Sequence, residues 1–288
     1  MALRSPTVRR RRLAAELRRL RKECGKTRED VAEYIGVVPA TVTRIENASS
    51  GARPAEVQLM LDLYGVDGEE RATLLQLARD AKRRGWWHQY GKVVPAWFQV
   101  YVGLEAETQR FLWYEAEQIP GLLQTEGYMR ALLEAGHQKL PEDEVDRQVK
   151  LRIGRQGVLE GDEPPEMWII VNEAALHRVV GSREVMLHQL DHLVEAARLP
   201  NIDLQVLPFV HGAHPSPHSS FTILGFKKPM DSDVVYIELR SSALYLEQPD
   251  EIDTYKVMFD HLKMKALPTD KSVRLIHRVM RSFPPDDD

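Results

Sequence analysis

The chain has 288 residues, of which 43% are hydrophobic and 28% are charged, values typical of a globular protein with a sizeable core. Its formal net charge of −4 argues, taken alone, against a protein that binds nucleic acid. The single cysteine, Cys24, excludes a disulfide framework within the chain, and no apolar run reaches the length of about 18 residues that a membrane span needs. We therefore expect a cytoplasmic protein of about two domains with no membrane partner.

The charge is divided unevenly along the chain. Residues 1–53 carry 13 Lys and Arg residues against 6 Asp and Glu, a net charge of +7, whereas residues 54–288 have a net charge of −11. Charge asymmetry between parts of a chain is more informative than the total. The total of −4 is therefore the sum of a basic N-terminal segment and an acidic remainder.

Helical patterns begin after residues 1–8, which are expected to form a loose arm. The segment from Arg9 to Glu23 has leucines at helical spacing and predicts the first helix. A second helix is expected to begin with a capping-box pattern, Thr27 followed by Asp30, and to end at Gly36.

A third helix is expected to start with Pro39 in its first turn and to run to about Asn47. Two further helical patterns follow, one starting at Pro54 and one capped by Asp67. These patterns together predict an all-α N-terminal domain of five helices over residues 1–84.

The second and third predicted helices are joined by about four residues, as in a helix-turn-helix, whose second helix lies in the major groove of DNA. Val42 and Ile45 would face inward, which leaves the other face of the third helix for DNA. Arg44 is the strongest candidate for base recognition, because its guanidinium group matches O6 and N7 of guanine. The candidate DNA-binding residues are Lys26, Thr27, Arg28, Pro39, Ala40, Thr41, Thr43, Arg44, Asn47, Arg53, Arg9 and Arg10.

The basic run from Arg9 to Arg12 has two interpretations. It is either a solvated helix face or an arm that binds phosphates or the minor groove. An arm that binds phosphates predicts salt-dependent affinity, with a slope that grows by about 0.9 for each phosphate contact on duplex DNA.

Three runs in this region, Thr27–Ala32, Ile35–Val37 and Thr41–Asn47, closely resemble the phage-repressor (Cro/C1, xenobiotic-response-element) family. The resemblance covers about residues 13–64 and implies a double-stranded DNA operator as partner. Repressors of this class bind as homodimers to two half-sites roughly 34–36 Å apart. The dimer contact is expected outside the small helical domain.

The resemblance also assigns individual positions. Arg28 stands where the family has a glutamine that holds a phosphate, and Val38 stands where a serine commonly caps the recognition helix. Arg21 and Glu46 match two positions that are often ion-paired in the family. We therefore predict a partly buried ion pair between Arg21 and Glu46.

The pattern after residue 84 is mixed. An aromatic-rich connector at 85–110 is expected to pack on the next domain; its Trp86, Trp87, Trp97, Phe98 and Tyr101 form either core or a cage for a small ligand. An α+β regulatory and dimerisation domain is expected over 111–283, followed by a disordered tail at 284–288. Helices are expected near 104–109, 126–136, 141–159, 182–198, 249–266 and 270–282, and strands at 111–117, 167–171, 202–207, 221–226, 234–239 and 243–246.

Five runs after residue 84 look like the uncharacterised domain that follows the helix-turn-helix in many actinomycete regulators: Ile119–Thr125, Asn172–Leu176, Gln189–Leu193, Gln205–Phe209 and Val235–Glu238. The resemblance covers about 85–280. It implies a transcription factor of the type linked to sporulation, antibiotic production and toxin–antitoxin-like gene pairs. Such proteins are often encoded beside a small protein that modulates them.

Polar residues near these runs are candidates for a pocket, namely Gln124, Thr125, His211, His214, His218, Tyr236 and Glu238. The alternatives left open are a structural corner at 119–123, exposed histidines, and cross-strand pairs on a solvated face. Pro215 and Pro217 place the histidines in a loop without a cysteine pair, so we expect no metal site. No cofactor is expected either.

Catalysis is not expected, because the chain has no phosphate-binding loop, no nucleophile elbow and no HExxH motif. The sequence thus predicts a DNA-binding transcriptional regulator, expected to be a repressor, whose C-terminal domain dimerises and receives a signal. The signal is either a small-molecule effector or a small protein encoded nearby. The alternative is an antitoxin-like protein that neutralises such a partner and regulates its own operon.

Overall fold

The computed structural model describes residues 6–82, 85–136, 139–161, 163–217, 219–227 and 232–283. The chain forms two compact units, one ending at His88 and the other beginning at Gln89. The predicted tail at 284–288, the candidate His218 and the first five residues of the predicted arm lie outside the described residues.

The first unit is helical, and the prediction of five N-terminal helices is confirmed. Its core is made by the apolar faces that the helical spacing predicts, with Leu17, Val31, Val42, Val57 and Met60 inaccessible to solvent. The helices are α1 (Pro6–Glu23), α2 (Arg28–Ile35), α3 (Pro39–Glu46), α4 (Pro54–Tyr64) and α5 (Gly68–Asp80).

The start of α1 differs from the sequence prediction. Residues 6–8 were expected in a loose arm, but α1 already begins at Pro6. Val8 is buried, with 5% of its surface exposed. Burial of this one apolar side chain ties the first turn of the helix to the core, so the basic run Arg9–Arg12 lies within a helix.

The turn between α2 and α3 depends on a left-handed residue. Gly36 caps α2 with φ of +72°, and its N–H contacts the carbonyls of Ala32 and Glu33. Only glycine adopts this conformation without steric cost. Pro39 then opens α3 at its first position, where the missing N–H is not needed.

The second unit is built on a six-stranded mixed sheet in the order β3-β2-β1-β4-β5-β6. β1 is parallel to β2, and β2 to β3; the remaining pairs are antiparallel. The strands are β1 (Thr108–Glu115), β2 (Glu166–Asn172), β3 (Ile202–Leu207), β4 (Phe221–Phe226), β5 (Val234–Glu238) and β6 (Ala243–Leu246).

Helices accompany this sheet, so the predicted α+β class is confirmed. The described helices are α6 (Ala96–Glu105), α7 (Glu126–Glu134), α8 (Glu142–Gln156), α9 (Glu173–His177), α10 (Arg183–Ala196), α11 (Pro249–Lys265) and α12 (Thr269–Ser282). Phe221, Ile223, Val235 and Phe259 form part of the core between the sheet and α11. None of the described helices is both long and apolar enough to cross a lipid bilayer.

The helix predicted near 104–109 is wrong. α6 ends at Glu105, and β1 starts at Thr108. The Thr108 hydroxyl donates to the Leu104 carbonyl at 2.9 Å, which satisfies a carbonyl of the last helical turn. The chain therefore passes into the central strand three residues earlier than the predicted strand at 111–117.

The edge strand β3 is capped by the first turn of α12 and the residues just before it. The Ser272 hydroxyl accepts from the Val206 N–H at 2.9 Å, and the Leu267 N–H donates to the Val206 carbonyl at 2.9 Å. Both polar groups of Val206 are thus satisfied at a position where an edge strand would otherwise expose them.

Candidate nucleic-acid interface and cavity

The outer face of α3 is the surface that a helix-turn-helix would present to DNA. Val42, Ile45 and Glu46 are buried against the other helices. The helical period therefore turns the remaining side chains outward. Pro39, Ala40, Arg44 and Asn47 are exposed, and Thr41 and Thr43 are half-buried.

Two hydrogen bonds organise this face. Nη2 of Arg44 donates to Oγ1 of Thr41 at 3.1 Å, one helical turn earlier. The Thr43 hydroxyl donates to the Pro39 carbonyl at 3.2 Å. The guanidinium of Arg44 is thus held along the helix and keeps its Nε and Nη1 donors for another acceptor.

A buried carboxylate ties α3 to the two preceding helices. Arg21 donates from Nε to Oε1 of Glu46 and from Nη2 to Oε2 at 3.0 Å, and the Glu46 side chain is inaccessible to solvent. Arg28 donates from Nε to Oε2 of Glu46 at 3.0 Å. Burial by itself raises the pKa of Glu46, but the hydrogen bonds from the two arginines outweigh it and hold the pKa below its ordinary value.

The start of α2 lies next to this cluster. Nη1 of Arg21 donates to the Lys26 carbonyl at 2.8 Å, and Lys26 is half-buried. The Thr27 hydroxyl accepts from the Asp30 N–H at 3.1 Å, while Asp30 accepts from the Thr27 N–H at 2.8 Å. The hydroxyl oxygen of Thr27 is therefore used by the capping box, and its hydrogen remains available as a donor.

The remaining basic candidates, Arg9, Arg10 and Arg53, differ in their partners and in their exposure to solvent. Arg9 lies in α1 rather than on an arm, 3.4 Å from Asp80 of α5, and only 14% of its side chain is exposed. Nε of Arg10 is buried and has no hydrogen-bond partner within the described residues. Arg53 is 79% exposed and lies 3.8 Å from Glu56. Of these three, Arg53 has the charge most accessible to a phosphate.

The second unit contains an open cavity of about 510 Å³ beside the carboxyl end of β1. Aromatic and charged side chains share its wall. Three of the predicted pocket residues, Gln124, Tyr236 and Glu238, line it. The full lining is Phe98, Tyr101, Trp113, Glu115, Ala116, Glu117, Gln118, Ile119, Gly121, Gln124, Arg152, Arg155, Pro217, Ser219, Ser220, Phe221, Thr222, Tyr236, Glu238 and Leu239.

One wall of the cavity is fixed by a buried ion pair. Arg155 donates to Glu105 through Nε at 2.8 Å and Nη2 at 2.7 Å, and both side chains are buried. The guanidinium also lies 4.9 Å from the ring centre of Phe98 and 5.3 Å from that of Tyr101. Tyr101 packs in turn on Tyr236, with ring centres 4.1 Å apart. The pair is therefore a structural support for the aromatic wall.

The cavity lining also contains the carboxyl groups of Glu115 and Glu238. Glu115 is half-buried and accepts from Nε1 of Trp113 at 3.1 Å. Burial raises the pKa of Glu115 to about 7, and the charge of Glu238 acts in the same direction. Glu238 is exposed and accepts from the Tyr236 hydroxyl at 3.0 Å.

Of the two arginines in the cavity lining, Arg152 is the one whose guanidinium is available to a ligand. Its Nη1 donates to Oε1 of Gln124 at 3.2 Å, and within the described part of the chain no carboxylate lies within 4 Å of its guanidinium. Nε2 of Gln124 donates to the Ile119 carbonyl at 2.7 Å, which fixes the amide that orients Arg152. Burial, followed by the nearby charge of Arg155, lowers the pKa of Arg152.

Three further predicted pocket residues, Thr125, His211 and His214, are not part of the cavity lining. The N–H and hydroxyl of Thr125 both face Oε1 of Gln189, at 2.7 and 3.3 Å, so this side chain is used in packing. Nε2 of His214 lies 3.5 Å from the Tyr114 hydroxyl, and His211 is exposed. In the part of the chain that the structure describes, no three His, Cys, Asp or Glu side chains are grouped as metal ligands.

Four charged residues that give the cavity its character are not indicated by any motif in the sequence. Glu105, Glu115, Arg152 and Arg155 were not singled out. The available signal was weak: Arg152 and Arg155 are three residues apart, which places them on one face of a helix. Their partners are distant in sequence, so no local pattern indicated what they meet.

Comparison with known protein families finds two matches. Residues 98–278, more than half of the chain, match a domain of unknown function (DUF5753). Residues 12–74 match a helix-turn-helix domain, which spans the surface built around α3. No curated protein matches the chain, and no solved structure matches it.

Proposed function

The chain belongs to the family of the domain of unknown function DUF5753 and carries a helix-turn-helix domain before it, and from these two facts we propose that it is a sequence-specific transcriptional regulator. The observation that carries the proposal is the outer face of α3, where Arg44 is exposed and oriented by Thr41. A guanidinium on such a face can donate to two acceptors of a guanine.

The wider proposal assigns a role to each part of the chain. Residues 1–84 bind a double-stranded DNA operator in the manner of the phage-repressor (Cro/C1) class, and residues 111–283 dimerise and receive a signal, with 85–110 as the connector. The protein acts as a cytoplasmic repressor and binds as a homodimer. The charge division supports this arrangement, because the acidic second part repels DNA and confines contact to the basic segment.

The first experiment is genome-wide mapping of binding sites, followed by fluorescence anisotropy with the enriched operator and a scrambled duplex. We expect two half-sites with centres roughly 34–36 Å apart and one homodimer bound to each operator. The logarithm of the binding constant should fall with the logarithm of salt concentration, with a slope of about 0.9 for each phosphate contact. Absence of an enriched motif, or equal affinity for the scrambled duplex, would contradict the proposal.

A second candidate function is supported by a different surface. Phe209 and Val210 are 58% and 87% exposed, and they border a second cavity of about 630 Å³ that also includes Lys271, Arg274 and Arg278. Exposed apolar side chains beside a cationic rim are typical of a protein-binding site. This surface supports an antitoxin-like role in which the chain binds a small protein encoded nearby.

The two roles differ in the behaviour of the neighbouring gene. If that gene is toxic when expressed alone and harmless when expressed with this chain, the antitoxin-like role is supported. The change Val210→Asp should then abolish the protection without affecting operator binding. A neighbouring gene that is harmless alone excludes the antitoxin-like role.

A further inference from the structure

The lining of the cavity in the second unit combines opposite charges, and this combination selects a class of ligand. Its volume of about 510 Å³ is within the range of small-molecule sites. The lining includes one guanidinium without a carboxylate partner, that of Arg152, and two carboxyl groups, those of Glu115 and Glu238. The inference drawn from them rests on the proposed role of this unit as the receiver of a signal.

The guanidinium of Arg152 is positioned rather than free to turn. Gln124 accepts one of its hydrogen bonds, and Gln124 is itself held by the Ile119 carbonyl and, through its own carbonyl, by Nε2 of Gln156 at 2.7 Å. The bond to Gln124 uses one of the five N–H donors of Arg152, and the donors of Nε and Nη2 are not used in it. A planar group with paired donors is suited to a carboxylate or another planar anion.

The two carboxyl groups, those of Glu115 and Glu238, can bind a cationic group of the same ligand. Glu238 accepts from the Tyr236 hydroxyl, and Glu115 accepts from Nε1 of Trp113 and is also hydrogen-bonded to Ser220. Each carboxyl group retains lone pairs for a further donor. A ligand ammonium group placed here would offset the mutual repulsion of the two carboxylates and would favour the ionised form of Glu115.

The remaining wall is aromatic. Trp113 and Tyr236 lie beside the two carboxyl groups, and Phe98 lies against Arg155. The arrangement suits a ligand that has an apolar part between or beside its charged ends, since aromatic side chains contribute contact area and attract cations.

We propose that this cavity binds an amphoteric small molecule of the amino-acid type, with its carboxylate on Arg152 and its ammonium group towards Glu115 and Glu238. A simple carboxylic acid would leave the two acidic side chains without a cationic partner, and a simple amine would leave Arg152 without an anionic one. Both should therefore bind more weakly than the amphoteric compound.

The test uses the full chain without DNA, so that it is independent of operator recognition. The probes are the free proteinogenic amino acids, followed by the deaminated and decarboxylated analogues of the best binder, measured by thermal shift and isothermal titration. We expect at least one amino acid to bind and each analogue to be weaker by about tenfold or more. Failure of every amino acid to bind, or equal binding of an analogue, would overturn the proposal.

Variants then locate the site. Arg152→Gln should lose the preference for the carboxylate, Glu238→Gln should weaken the preference for the ammonium group, and Arg152→Lys should retain part of the carboxylate preference. The matched control is Arg147→Gln, which changes an exposed arginine of α8 that is paired with Asp143. Binding that is unchanged in Arg152→Gln and Arg152→Lys places the ligand elsewhere and overturns the proposal, whatever the outcome of the operator experiment.

Discussion

Nε of Arg28 donates to Oε2 of Glu46 across 3.0 Å and thereby joins the first residue of α2 to the last residue of α3. The same carboxylate holds Arg21 in a buried bidentate pair. One carboxylate with two cationic partners thus connects α3 to α1 and α2. This contact uses only Nε of Arg28, so the pairing with Glu46 would be compatible with the proposed phosphate contact through the two terminal nitrogens.

Removal of that carboxylate should destabilise the first unit. Glu46→Ala leaves Arg21 buried without a counter-charge, and loss of one partner of a buried pair costs about 3–5 kcal/mol. Urea denaturation followed by circular dichroism measures the change. The control is Glu23→Ala, whose exposed pair with Arg19 should contribute less than about 1 kcal/mol. Similar losses in the two variants would contradict the assigned role of Glu46.

The turn between α2 and α3 should require glycine at position 36 because of its left-handed backbone conformation, not because a side chain would lack space. A Cβ added at Gly36 would meet no heavy atom within 4 Å, so Gly36→Ala introduces no clash. The left-handed backbone at φ of +72° should nevertheless cost about 1–2 kcal/mol. Gly36→Asn is the matched control, because asparagine tolerates this conformation better, and it should retain most of the stability in thermal melts. A stability of Gly36→Ala equal to that of wild type would refute the argument.

Two substitutions should separate base recognition from phosphate binding. Arg44→Ala removes the exposed guanidinium of α3 and should relax discrimination at one base position by about 1–3 kcal/mol. Lys26→Ala should weaken all duplexes alike and lower the salt slope by about 1. Binding to the mapped operator and to single-base variants of it measures both effects. If Arg44→Ala weakens every duplex equally, the residue contacts phosphate rather than a base.

Stability of the second unit should depend on the ionisation of Glu115. The folded state raises the pKa of this group to about 7, above the value of about 4.3 of an unfolded glutamate. The folded state therefore binds the proton of Glu115 more tightly than the unfolded state does. The resulting contribution to the free energy of unfolding is lost as pH rises from about 5 through about 7. Glu115→Gln should flatten this decrease in melts at about pH 5 and about pH 8.

The control for that experiment lies on the same rim. Glu117 is an exposed carboxylate paired with Arg178, and Glu117→Gln should keep the pH dependence of wild type. If Glu115→Gln loses as much stability with rising pH as wild type does, another group is responsible.

Gln189 should be required for the packing of the segment at 119–125, three residues of which line the cavity. It is inaccessible to solvent, accepts from Thr125 and donates from Nε2 to the Leu123 carbonyl at 2.7 Å. Gln189→Leu preserves the approximate volume but leaves a buried N–H and a buried carbonyl unsatisfied, at about 1–3 kcal/mol each. Chemical denaturation checks the loss. Gln118→Leu, at an exposed glutamine, should stay within about 0.5 kcal/mol of wild type.

Local features of the fold were predictable along the chain. The five helices of the first unit follow from apolar residues at helical spacing, such as Leu13 and Leu17. Gly36 marks the end of α2, and Pro39 marks the start of α3. The strands at Ile202–Leu207 and Phe221–Phe226 have the predicted bounds. These features depend on neighbours within one turn or one strand, so a linear pattern contains the necessary information.

The cavity and its lining could not be predicted from local sequence patterns. Arg155 meets Glu105 across 50 positions, and Thr125 meets Gln189 across 64. Glu115 comes from β1, one of the two central strands of the sheet, and its pKa is raised by burial and by the charge of Glu238 from another strand. Local periodicity places a side chain on a face of its own element, but the partner that determines its ionisation and orientation is selected by the pairing of distant elements. Composition and spacing therefore predicted a basic helical segment and a mixed domain, whereas the convergence of Arg152, Glu115 and Glu238 on one cavity is a product of long-range packing.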